Sequence, residues 1–264
     1  EAFSSRNSKN ITLQRTLISE ALNVADHPNY GKGKAHGFAA TIGGNKGSYH
    51  HNLLAHNEGR NWSLGGGLDG SGNAAGYADM FNNVCYNWGG RTTDGGVHEG
   101  QFVNNYYKMG PSSRRKELLT AQYEGAAWDG SYTQTYYVNG NIRENVDGTL
   151  TEDEYGETFV LDVSNPNGHT IDWEQAFVNT PYFESYAKIE PAEIAFKTVL
   201  SDVGANQPYF DEHDVRMVDE TRTGATSKTG SVTGKKGLID RETDSEGFGY
   251  FPTEGAKRAA DYDT

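Results

Sequence analysis

Apolar and polar positions alternate with a period of two through several short runs of this chain. The fullest run is Ser48–Asn61, where Tyr49, Leu53, Leu54 and Ala55 interleave with asparagine and three histidines before a turn that ends in Arg60. Met80–Asn87, Phe102–Lys108 and Val138–Arg143 repeat the pattern, and Ile11–Ser19 is a weaker copy. A period of two marks a strand, since a helix would repeat at 3.6. Aligned on Thr16, Asn52, Asn83, Asn105 and Asn141, the copies follow at steps of 36, 31, 22 and 36 residues. A bare repeat of 22 residues with loops of variable length suits a solenoid of short parallel strands. Stacked strands lie about 4.8 Å apart, so a residue type that returns at one column sits on its own kind. Asparagine suits such a column because its amide both donates and accepts. The alternative is a β-sandwich whose strands look alike; the 33 glycines serve the turns of either fold.

The expected architecture is therefore all-β, a parallel β-helix over residues 1–145 with an irregular C-terminal extension over 146–264 packed along it. In the extension, Glu190–Gly204 reads as a helix, with Pro191 in its first turn, Gly204 past its end and Ile194, Phe196, Val199, Leu200 and Val203 on its apolar face. A second, shorter helix is expected over Asp211–Glu220. Residues 221–247 are polar without periodicity and read as a surface wrap. Gly65–Gly72 lacks the Lys-Ser/Thr ending of a nucleotide loop and reads as a coil insertion.

Composition narrows the partners. The 264 residues contain no apolar run near the ~20 needed to span a membrane as a helix. The single Cys85 excludes an internal disulfide framework and, mid-strand, reads as a buried thiol. The net charge of −13 is unevenly spread. Residues 1–118 hold 12 basic and 9 acidic side chains, against 11 and 27 beyond, and six of the eight histidines lie in the first segment. An anionic ligand would bind that mildly cationic segment, and the acidic remainder argues against nucleic acid.

Several of these runs together resemble the pectate lyase superfamily, polysaccharide lyase family 1, in its bacterial branch. The residues that carry the resemblance are Ile18–Leu22, Ile42–Asn45, His50–Arg60 and Asn82–Trp88, in that order and spacing. The resemblance spans residues 8–145 by motif and extends more weakly to Val199–Ala205 and Asp211–Arg216. It implies a right-handed parallel β-helix, a secreted, periplasmic or cell-surface enzyme, and calcium-assisted β-elimination of acidic plant cell-wall polysaccharide of the polygalacturonate type. It also implies that earlier coils precede Glu1, so that an N-terminal portion of the same protein, on a separate segment, is an expected partner. A non-catalytic carbohydrate-binding β-helix is the alternative. A glycosidase-type hydrolase would need paired carboxylates in the cleft, and no such pair stands out between residues 40 and 110.

Elimination from a uronate needs a base for the C5 proton, positive charge on the adjacent carboxylate, and departure of the C4 oxygen. By the resemblance, Arg60 is the catalytic base. That role requires neighbouring cations and burial to lower a pKa that ordinarily exceeds ~12. His56, four residues before Arg60 at the coil corner, is the expected substrate contact. If Asn52 points inward, alternation sends His50 and His56 inward and His51 outward, so the adjacent pair does not converge on a metal. Glu20 occupies the column of His56 one coil earlier and is a candidate to contact calcium or substrate; Glu1 is a calcium candidate by the resemblance alone. Two positions depart from the family. Its Arg-Asn-Pro-Arg becomes Arg60-Asn61-Trp62-Ser63, which loses a carboxylate-clamping arginine, and its lysine of the preceding coil falls near Phe38. His36, Lys32 or Lys34 would substitute for the lysine, and Trp62 would stack on sugar in place of the clamp.

Overall fold

A computed structural model describes residues 1–68, 71, 74–122, 134–162, 173–206 and 211–245. Its strands wind through three six-stranded sheets. The first sheet stacks Phe3–Ser4, Ala40–Gly43, Ser63–Gly65, Thr93–Gly96, Leu119–Gln122 and Phe159–Asp162, all parallel. The second stacks Lys9–Gln14, Asn45–His50, Tyr77–Phe81, Glu99–Val103, Thr135–Asn139 and Phe177–Val178, again all parallel. The third runs from Leu17–Ser19 through Leu53–Ala55, Val84–Tyr86, Tyr106–Lys108 and Ile142–Glu144, and ends on the antiparallel Leu150–Thr151. The architecture is the expected parallel β-helix. Gly67–Leu68 and Ala74–Ala75 pair antiparallel; Asp69, Gly70 and Gly72 of the expected insertion lie outside the described residues.

The asparagine column forms a ladder at the corner between the second and third sheets. Asn52 Nδ2 donates to Asn83 Oδ1 at 2.9 Å, Asn83 to Asn105 at 3.0 Å and Asn105 to Asn141 at 2.9 Å. Each Oδ1 also accepts the backbone N–H of the residue one coil earlier, beginning with Thr16. Asp153 closes the column by accepting from Asn141 N and Nδ2. Corner backbone groups with no strand partner are thus satisfied in a solvent-free position.

The residue before each ladder member is left-handed. Arg15, His51, Asn82, Asn104 and Gly140 have φ of 51°, 55°, 53°, 49° and 70°. Such a residue turns the chain sharply and resets the alternation that follows it. Tyr49 and Leu54 therefore face the interior, while Leu53 and Ala55 face the opposite side of the third sheet. This corrects the expected orientation of the histidines. His50 stacks on Phe81 at 4.7 Å, and its Nδ1 lies 2.9 Å from Nδ1 of His51, so the two rings converge instead of parting.

Two cores result. The inner one contains Ile42, Tyr49, Leu54, Trp62, Met80, Trp88, Phe102 and Tyr107. Cys85 belongs to it, and burial pushes its thiol pKa up, which suppresses the reactive thiolate. The outer core lies under the C-terminal helices, where Leu53, Val84, Tyr86 and Tyr106 meet Ala192, Val199, Leu200 and Met217. The third sheet is thus apolar on both faces.

The helices are α1 (Trp173–Ala176), α2 (Ala192–Ser201) and α3 (Glu212–Thr223). Pro191 precedes α2, and Asp211 caps α3 by accepting from Asp214 N at 2.8 Å. Coil strands continue past the expected boundary at residue 145, since Phe159–Asp162 joins the first sheet and Phe177–Val178 the second. These strands are too short for their alternation to stand out. The later residues cross the third sheet from corner to corner. At one corner Asn82 and Asn104 donate to Glu190 O at 2.7 and 2.8 Å. At the other, Arg216 of α3 holds Glu20, and Asn23 and Val24 donate to Ile239 O and Asp240 O at 2.9 Å.

Candidate functional site

Arg60 occupies a left-handed position (φ 55°) just before the first-sheet strand Ser63–Gly65. Its Cζ lies 4.7 Å from the centroid of Phe38, and Arg91 of the next coil shares that ring at 5.2 Å. Arg91 is fixed by a two-point pairing in which Nε and Nη2 donate to Asp94 at 2.5 and 2.6 Å. Arg60 pairs with the Glu1 carboxylate and reaches Thr41 Oγ1 at 3.5 Å. Its Nε is buried and has no hydrogen-bond partner among the described residues. Burial lowers the Arg60 pKa and the Arg91 charge lowers it further, while Asp94 works the other way. The contacting Glu1 carboxylate favours the cation.

Beside Arg91 the outer face of the first sheet forms a cleft of about 270 Å³. Arg91, Asp94, Arg115, Glu117, Gln122 and Asp162 line it. These residues come from three successive coils, so the cleft follows the solenoid axis and could accept an extended chain.

The structure gathers three of the residues singled out from the sequence. Glu1, Arg60 and His36 all lie around Phe38, with the His36 ring 4.2 Å from it and Tyr30 stacked behind at 4.3 Å. Burial, then the charge of His27, lowers the His36 pKa. Lys32 and Lys34 are exposed.

Three other expectations are corrected. His56 has no exposed surface, and its Nε2 lies 3.0 Å from Glu220 of α3 with Asn87 Nδ2 2.9 Å from Nδ1. It therefore faces the C-terminal strap, not a substrate. Trp62 is solvent-free in the inner core, its ring 6.0 Å from Tyr49, so it offers no face to a sugar. Glu20 gives both oxygens to Arg216 at 2.8 and 2.7 Å and is closed to a cation by that pairing. His56 and Glu20 are taken up by the C-terminal strap, and Trp62 by the inner core.

Arg91 and Asp94 were not singled out from the sequence, although a signal was present. Arg60 and Arg91 are separated by the same 31 residues that join Asn52 to Asn83 in the ladder.

Calcium takes six to eight oxygen ligands at about 2.3–2.6 Å. Glu20 is committed to Arg216 and Glu1 to Arg60. Among the described residues no group of three or more His, Cys, Asp or Glu could hold a metal ion. The residues expected to bind calcium do not fit it in this arrangement.

No family model matches the chain. Over 236 residues, 86% of its length, the chain is 29% identical to "Probable pectate lyase C" of Aspergillus terreus (strain NIH 2624 / FGSC A1156). The similarity supports a pectate lyase-like family. The match covers 46% of that protein, so the chain spans about half the length of the curated relative it matches. Among the described residues no helix is long and apolar enough to cross a membrane.

Proposed function

We propose that the chain carries the active site of a secreted polysaccharide lyase that cleaves a pectic, polygalacturonate-type chain by β-elimination. The observation that supports this most is the partly buried Arg60 sharing the Phe38 ring with a second guanidinium, Arg91, which lines a polar cleft along the first sheet. Entry of a uronate would displace Glu1 from Arg60. Burial and the Arg91 charge lower the Arg60 pKa. Once its own proton has passed to solvent, Arg60 takes the C5 proton while the C4–C5 double bond forms and the C4 oxygen leaves, protonated by water. The charge developing on the substrate carboxylate falls near a preorganised cation. Phe38, with His36 packed on it at 4.2 Å, backs the two guanidiniums on this side. Calcium enters this reading through the resemblance alone, as does the acidic plant cell-wall source of the polymer.

The test is the absorbance of unsaturated uronate products from polygalacturonate, with added calcium and then with chelator. Product that appears and persists in chelator would retain the lyase and remove calcium. A second reading, a non-catalytic carbohydrate-binding β-helix, draws support from the Glu1–Arg60 pair and from Phe38 and Ser63 where the family has cations. Binding of the polymer without product would select it.

A further inference from the structure

Ser63 stands where the resemblance implies a carboxylate-clamping arginine, and its register partner in the next coil, Asp94, holds another guanidinium, that of Arg91. Ser63 pairs in register with Asp94 across the first sheet. Asp94, 7% exposed, holds the guanidinium of Arg91 from two points, at 2.5 and 2.6 Å. The Arg91 side chain is itself 37% exposed, lines the cleft, and lies over the Phe38 ring that Arg60 shares. The Asp94 pairing engages Nε and Nη2 and fixes the plane of the guanidinium. A fixed planar fork is what two-point recognition of a carboxylate requires.

We propose that Arg91 is the residue that recognises the substrate's carboxylate in this cleft, oriented for that task by Asp94. The ligand class is a chain of uronates with free carboxylates, and methyl esterification removes the recognised group. Asp94 is a positioning residue, because it acts through Arg91. Phe38 explains why the relocation is tolerated: an aromatic ring accommodates two guanidiniums on one platform, where a lysine would add a third positive charge. The inference rests on the proposed lyase reading for its substrate class, but its test reads binding as well as turnover.

The experiment compares wild type, Arg91→Gln, Arg91→Lys and Asp94→Asn, with folding checked by circular dichroism and thermal melting. Calorimetric titration uses trigalacturonate and its fully methyl-esterified counterpart, and steady-state kinetics use polygalacturonate. Arg91→Gln should weaken binding of the free acid about 10- to 100-fold, the range for a charge-assisted pair, and leave the ester within about threefold. Arg91→Lys should recover only part of that loss, since a point charge replaces the fork. Asp94→Asn should raise KM for polygalacturonate more than it lowers kcat and should narrow the preference for acid over ester. Equal loss for acid and ester, or unchanged acid binding in a folded Arg91→Gln, would overturn the assignment. Wild type that binds the acid without forming product would sink the lyase reading and still test Arg91. Wild type that binds neither ligand would overturn both.

Discussion

Replacement of Glu20 by glutamine separates two incompatible roles for one carboxylate. As a metal ligand, Glu20 would contribute to cation affinity and little to stability. As found here, it anchors α3 to a corner of the β-helix through both oxygens, at 2.8 and 2.7 Å from Arg216, with its side chain 3% exposed. Breaking a fully buried ion pair by removing one partner costs about 3–5 kcal/mol, because the other charge stays buried and unpaired. Arg216 is 16% exposed and has Glu220 at 3.8 Å as a second carboxylate, so part of that cost is relieved. An expected loss of about 2–3 kcal/mol follows. In a chain of this size it corresponds to a fall in Tm of about 5–10 °C. Thermal melting of Glu20→Gln and of the double variant Glu20→Gln/Arg216→Met, in chelator and in calcium, measures it. The double variant should recover part of the loss, since the stranded cation is gone. An unchanged Tm in chelator, together with a lost calcium-dependent rise, would refute the anchor and restore Glu20 as a ligand.

Three further outcomes are expected. Asn83→Ala removes two accepted and two donated hydrogen bonds from the solvent-free ladder. At about 1–3 kcal/mol for each stranded buried group, with partial relief, it should cost about 3–5 kcal/mol in denaturant unfolding. Burial, then His51 and Arg15, lowers the His50 pKa to about 4 from 6.5. The native state therefore prefers neutral His50, and the associated stability is complete above pH 6.5 and lost as pH falls towards 4. That component is about 3 kcal/mol, and His50→Phe, which keeps a ring against Phe81, should flatten the Tm profile across this window. Arg60→Ala should lose at least ~100-fold in unsaturated-product formation while keeping its Tm, and Arg60→Lys should lose most activity because its acceptor sits on a flexible stem. Retained product formation in Arg60→Ala would move the base to Lys32, Lys34 or His36.

The sequence alone determined the stacking. Asn52, Asn83, Asn105 and Asn141 return at one column, and a ladder of amides is a local requirement of every coil, so it is written in every repeat. The period-two runs likewise pointed to the all-β solenoid, and the apolar spacing of 190–204 to α2; the helix expected over 211–220 is α3, which runs on to Thr223. Arg60 was singled out by the resemblance, and the 31-residue step of the repeat already contained Arg91. What only the tertiary structure decided was direction and covering. A single left-handed residue at His51 or His56 resets which face the following side chains take, and its φ is set by the corner it must turn. His56 and Glu20 became buried anchors because α3 lies across them, through contacts that join residues as much as 196 positions apart. Alternation carries no information about a strap that returns from so far along the chain, because its position depends on the packing of the outer core.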